Sequence, residues 1–300
     1  MQGSLKINFQ GMAVGNGLSS SSLNDNSLVF FAYYHGLFGK ELWDRLAVDC
    51  CNGTISQESC NFSGAGGDCG DDVEEVFQYV YHSGLNEYAL YLDCHSNSDL
   101  GSAARYKFDM NNVFRSLKPR LRKRVFTQKV TAKPSSRLGI VPPCINSTAQ
   151  TNYLNKANVR HALHIKEGLP AWAVCSDQVG AQYSRVYSDM YSQYHHLLKH
   201  SNFTILVYNG DTDMACNFLG DEWFVDGLKL KSTLSRRPWY VQGQVAGFVH
   251  QYGQLTYTTI RGAGHMVPQW APSYAFAMFE KFIHNKPFSS SLDLRKCCFS

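Results

Sequence analysis

A six-residue apolar run, Phe203 to Tyr208, stops abruptly at Asn209, Gly210, Asp211, Thr212 and Asp213. A run of that length, rich in β-formers and without alternation, suits a strand buried on both faces. Two carboxylates, Asp211 and Asp213, therefore stand at the carboxyl end of a central strand, the end where open α/β sheets collect ligands and catalytic groups. About fifty residues later a second strand, expected over Gln254 to Ile260, runs into Arg261, Gly262, Ala263, Gly264, His265, Met266, Val267 and Pro268. A glycine-flanked imidazole thus follows one strand and a carboxylate follows another.

That pairing is the arrangement of base and orienting acid in Ser-His-Asp hydrolysis, where one chain order is Ser, then Asp, then His. Either aspartate fits by position, and the residues alone do not choose. No G-x-S-x-G occurs in the 300 residues. Ser19 follows Gly17 but lies in a serine run without a closing glycine. Ser83 precedes Gly84 with no strand before it. Neither makes a nucleophile elbow.

The other segments read as alternating helices and strands. A strand is expected from Lys6 to Val14 before the turn Gly15-Asn16-Gly17, with Ser19 to Ser22 and Asn24 to Asn26 as turn and capping residues. Helices are expected over Leu28 to Leu37, Gly39 to Cys51 (Leu42, Leu46 and Val48 apolar) and Asp71 to Ser83 (Val73, Val76, Phe77, Val80 and Tyr81 on one side). Later helices are expected over Thr151 to Ile165, with Tyr153, Leu154, Val159, Ala162 and Leu163 inward, and over Gln178 to His200. The last is expected over Pro272 to His284, with Phe276, Met278, Phe279, Phe282 and Ile283 against the sheet. Trp223 to Leu228 continues a helix begun after Cys216, and Trp239 to Val241 with Gly247 to His250 forms a hairpin.

Ten cysteines and four N-x-S/T acceptors, Asn52, Asn61, Asn146 and Asn202, suit the secretory pathway. Cys50, Cys51, Cys60 and Cys69 crowd a Gly- and Ser-rich stretch. Adjacent half-cystines pair outward, and spacing leaves the partners open. A zinc site is disfavoured because the spacings are not paired C-x-x-C and no histidine lies within the cluster. Met1 to Phe9 is too polar for a signal peptide, so the expectation is that an N-terminal portion is missing. A net charge of +4 is small for this length, and much of it sits in Leu117 to Lys133 (Lys118, Arg120, Arg122, Lys123, Arg124, Lys129, Lys133). That loop reads as solvated, or as a processing site. No nucleic-acid partner follows from it, and the absence of an apolar run of 18 residues gives no membrane span.

The segments YNGDTDMACNFLGDEWF, RRPWYV with AGFV, GAGHMVP and the opening QGMAVGNGLSS resemble the serine carboxypeptidase family over roughly Ile7 to Phe288. The resemblance implies an α/β-hydrolase fold, incomplete here, with 1–20 as a core strand and turn, 21–143 as a mostly helical cap, 144–288 as the remaining core and 289–300 as a tail. It implies Asp213 and His265 as catalytic, Asp211 as a structural acid, and Cys216 and Met266 as lining the pocket for the leaving residue. It implies the disulfides Cys50–Cys69, Cys51–Cys60 and Cys94–Cys144, and an unpaired Cys175 whose partner lies upstream. The family's serine, in GESYAG, and its oxyanion and carboxylate-binding residues also lie upstream.

The function expected is a serine-type carboxypeptidase releasing C-terminal residues from peptides, lysosomal or secreted, present as a part inactive by itself. The resemblance implies peptide substrates with a free C-terminus and allows a homodimer. Neither cofactor nor metal is expected. The alternative is a non-catalytic stabilising partner of lysosomal glycosidases, with which one family member associates.

Overall fold

The computed structural model describes residues 7–94, 144, 146–174, 176–200 and 202–288. The basic loop 117–133, Cys175 and the tail 289–300 lie outside the described residues.

Five strands, β1 (Gly11–Gly15), β2 (Thr204–Gly210), β3 (Leu234–Val241), β4 (Gln244–Tyr252) and β5 (Leu255–Ile260), form one sheet in the order β1-β2-β5-β4-β3. β1, β2 and β5 run parallel, with Val207 opposite Val14 on one side and Tyr257 on the other. β4 and β3 are added antiparallel as a hairpin. β2 is central and two-sided. Leu206 joins Ile260, Trp239 and Met278 on one face, while Ile205 and Val207 join Leu255, Tyr257 and Phe224 on the other. That two-sided burial is why the apolar run does not alternate.

The helices are α1 (Ser21–Tyr34), α2 (Lys40–Cys51), α3 (Gly67–His82), α4 (Thr148–Leu154), α5 (Ala157–Ala162), α6 (Asp177–Gln182), α7 (Tyr191–His200), α8 (Phe218–Gly227), α9 (Val267–Trp270) and α10 (Pro272–Ile283). α1, α2 and α3 bury a cluster of their own, including Phe31, Leu46, Phe62, Val76 and Met214. The sulfurs of Cys50 and Cys69, Cys51 and Cys60, and Cys94 and Cys144 are bonded. The first bond ties α2 to α3, and the second ties the segment after α2 back to α2. Arg45 on α2 adds ion pairs to Asp72 (2.8 Å) and Glu75 (2.6 Å) of α3.

Several expectations need correcting. α1 begins at Ser21, because the Ser20 hydroxyl accepts from Leu23 N. Asn24 and Asn26 are helical and spend their amides on tertiary bonds: Asn24 donates to Ala215 O, and Asn26 Oδ1 accepts from Phe62 N and Ser63 N. In α2, Leu42 and Leu46 are buried while Val48 points outward.

The helix expected over Thr151 to Ile165 is two short ones. Asn155 stops the first by donating to Thr151 O and Trp172 O and accepting from Trp172 N, and neither piece buries a residue. The helix expected over Gln178 to His200 is also split. Residues 183–190 run beside the entry to α1, with Ser21 N donating to Ser188 O and Met190 N to Ser19 O. On α10 the packed residues are Ala275 and Met278, whereas Phe276, Phe279 and Ile283 are 69%, 51% and 53% exposed. Of the five residues expected against the sheet, Met278 and Phe282 do pack on its cluster, so the apolar stripe is wider than the face that is covered.

Candidate active site

β2 and β5 are adjacent and parallel, so the loops that follow them leave the sheet at the same end. Two glycines let those loops touch. A Cβ on Gly210 would lie 2.3 Å from the carbonyl oxygens of both Ala263 and Gly264, and a Cβ on Gly264 would lie 2.0 Å from Tyr88 O. Any side chain at either position would push backbone against backbone. With both absent, Thr212 N and the Thr212 hydroxyl reach Ala263 O at 3.0 and 2.9 Å.

Asp213 and His265 meet across this junction. The carboxylate only accepts, so His265 Nδ1–H donates to Asp213 Oδ2, at 2.8 Å. Asp213 is 0% exposed and takes three further donors: Asn16 Nδ2 (2.8 Å) and Cys216 N (3.3 Å) on Oδ2, and Ala215 N (2.9 Å) on Oδ1. Burial pushes its proton affinity up and these hydrogen bonds oppose that. Burial wins and the net shift is upward, although each of the four donors favours the ionised form. His265 keeps a third of its side chain exposed. Burial alone would lower its pKa, but the bond to Asp213 and its charge win, and the net shift is upward. With Nδ1 occupied by a buried acid, Nε2 is the nitrogen free to take a proton from a nucleophile.

Asp211 goes elsewhere: its Oδ1 accepts from Gly262 N at 2.7 Å and so braces the turn before His265. Cys216 and Met266 flank the pair from either loop, both half-buried. The Cys216 thiol is free, and burial, with Asp213 and Asp221 nearby, holds it firmly protonated. The acceptors Asn52, Asn61, Asn146 and Asn202 are all exposed.

Asn16 was read from sequence only as a turn residue. Its backbone adopts φ 46°, its N–H donates to Tyr208 O, and its side chain bridges Asp213 and Gly210 N. An asparagine between two glycines after a strand, in the left-handed region that few other side chains enter, was the available signal. Glu87 was also missed. It is buried, and its segment lies between the two loops: its carbonyl accepts from Met214 N and Ala215 N, while Tyr88 O accepts from His265 N at 2.7 Å.

Residues 2–285 match the model of the family described as serine carboxypeptidase. The chain is 46% identical over 295 residues to the lysosomal protective protein of Mus musculus, covering 94% of this chain and 60% of that one. It is 32% identical over 296 residues to a serine carboxypeptidase of Caenorhabditis elegans, covering 96% and 60%. The chain thus spans about 60% of the length of these curated relatives. A crystal structure of a prohormone-processing carboxypeptidase from Saccharomyces cerevisiae superposes with a TM-score of 0.57 at 17% identity, covering 92% of this chain and 55% of that one. The likeness shows the fold, an α/β-hydrolase with helical insertions.

Proposed function

The chain belongs to the serine carboxypeptidase family, and from that premise we propose that Asp213 and His265 are the acid and base of a Ser-His-Asp apparatus releasing C-terminal residues from peptides. The observation that carries this is the 2.8 Å bond from His265 Nδ1 to a fully buried Asp213. In this reading His265 Nε2 takes the proton of a serine hydroxyl and returns it to the leaving amine. Asp213 holds the tautomer and stabilises the imidazolium. Cys216 and Met266, beside the pair, suit an apolar leaving side chain because neither competes for the proton.

The finer part of the proposal is that these 300 residues by themselves do not turn over peptide. Two observations support it: no G-x-S-x-G occurs among them, and among the described residues no serine hydroxyl hydrogen-bonds His265 Nε2. The helices α1, α2 and α3 are proposed as part of the cap, with 21–143 as its extent. Disulfides and exposed glycosylation acceptors support a lysosomal or secretory location.

The test has two arms. The purified chain is assayed at pH 5 on an N-blocked dipeptide, and turnover inhibited by a serine-directed phosphonate would overturn the claim of inactivity. The same chain is then fused behind a family segment that carries the GESYAG motif. Turnover should appear and be lost in His265→Ala and Asp213→Ala, whereas full activity in either variant would overturn the assignment.

A further inference from the structure

Glu87 is a buried acid that the proposed chemistry does not use. Its side chain is 6% exposed, and Oε1 has no hydrogen-bond partner among the described residues. The position is held tightly. Asn86 Oδ1 accepts from Tyr88 N, the Glu87 carbonyl takes Met214 N (2.9 Å) and Ala215 N (3.1 Å), and Leu90 N donates to Thr212 O (2.9 Å). The Tyr88 ring lies 5.4 Å from the His265 ring, centroid to centroid, and its carbonyl fixes the His265 backbone. Glu87 is therefore locked between the loop bearing the acid and the loop bearing the base.

A buried carboxyl with one oxygen unsatisfied stays neutral unless a positive charge appears beside it. The groups facing it are few. Asp213, from the loop after β2, discourages its ionisation; His265, from the loop after β5, encourages it; Tyr88 hydrogen-bonds it. From α3 it faces the Tyr81 phenol, which burial and the surrounding acids keep protonated. His265 is thus the cation that can draw a charge onto Glu87.

The geometry points to Glu87 as a positioning residue that acts through His265: its carboxyl and the imidazole ionise as a coupled pair. In acid Glu87 is neutral and leaves the proton affinity of His265 to Asp213 alone, so the base form persists to lower pH. As pH rises Glu87 loses its proton while the imidazolium is still present and holds that imidazolium longer. Burial, the dominant influence, raises the Glu87 pKa to about 7, which puts its side of the exchange near neutrality, and the His265 pKa is likewise raised. The inference rests on His265 being the base, but the coupling itself is readable without any turnover.

The experiment is an NMR titration of the ring resonances of His265 in the 300-residue chain, identified among the 11 histidines by their loss in His265→Asn. The wild-type curve should be stretched or two-stepped. In Glu87→Gln it should collapse to one step, with His265 holding its proton roughly threefold or more less tightly at neutral pH. Glu87→Met, an apolar replacement of similar length, should do the same. A single, ordinary step for His265 in the wild-type chain overturns the proposal without any variant, and so does a wild-type curve unchanged in both variants. If turnover in the fused chain fails while the two-step titration stands, the catalytic reading falls and the coupling does not.

Discussion

Replacing Gly264 by alanine should break the junction that brings Asp213 to His265. The added Cβ would meet Tyr88 O at 2.0 Å, Trp270 Cζ3 at 2.6 Å and Ala89 Cβ at 2.7 Å. Ordinary carbon contacts begin roughly 1 Å further out, and one obstacle is backbone, so the segment at Tyr88 must move. Overpacking of this kind costs about 1–3 kcal/mol. The bond from His265 N to Tyr88 O, 2.7 Å long, is lost in the shift, for about another 1 kcal/mol.

Gly264→Ala should therefore unfold in urea with a free energy about 2–4 kcal/mol below wild type, and the His265 ring should lose its raised pKa. Gly180→Ala is the control. That glycine sits in α6 with nothing within 4 Å of the added carbon, so the change should be neutral or stabilising by about 0.5–1 kcal/mol. A Gly264→Ala protein with wild-type urea midpoint and an unchanged His265 titration would refute the packing argument.

Stability should also fall as pH rises from 5 to 8. Burial raises Asp25 from 3.8 to about 6, Asp221 from 3.8 to about 6 and Glu87 from 4.5 to about 7. A carboxyl with a raised folded-state pKa contributes stability that is complete below its unfolded value and is lost as pH passes the folded one. For Asp221, which accepts from Asn209 Nδ2 at 3.0 Å, that is worth at most about 3 kcal/mol. Urea midpoints measured across the range should drop through pH 6–7 and drop less in Asp221→Asn; a midpoint that rises would contradict the sign. Asn16→Ala should cost about 2–4 kcal/mol, from two lost hydrogen bonds to buried groups and a left-handed backbone, whereas Asn16→Gly should recover the backbone part. Chemical denaturation separates the two variants, and equal losses would refute the division. Opening Cys94–Cys144, fifty residues apart, should cost about 4 kcal/mol on the chain-entropy model, and an unchanged melting curve in Cys94→Ser would count against it.

The parts of the fold that sequence made legible are those in which one pattern has one cause. β2 is a continuous apolar run because both its faces are buried, and the GDTD and GAGHMVP turns advertise polar groups at strand ends. The broken helices at Asn155 and at 183–190 were not legible. Their sequences keep helical periodicity, and what stops them is a distant partner: Trp172 in one case, the Ser19–Ser21 backbone in the other. α10 shows the converse limit, since periodicity reveals an apolar stripe but not how much of it will be packed: Met278 and Phe282 are covered, while Phe276, Phe279 and Ile283 are not. Asn16 and Glu87 act on the site through tertiary contacts across roughly 200 and 130 residues of chain, respectively, from Asp213; the Gly-Asn-Gly turn marks Asn16 as a special backbone position but not its distant partner, and nothing local marks Glu87.

The pairing of Asp213 with His265 is tested most directly by following His265 through pH in wild type and in Asp213→Asn. Burial pulls the imidazole pKa down and the carboxylate pulls it up past the ordinary 6.5. Removing only the charge should therefore leave burial opposed by Glu87 alone, and the His265 pKa should fall. A His265 titration that is the same in both proteins would mean that the two side chains do not interact.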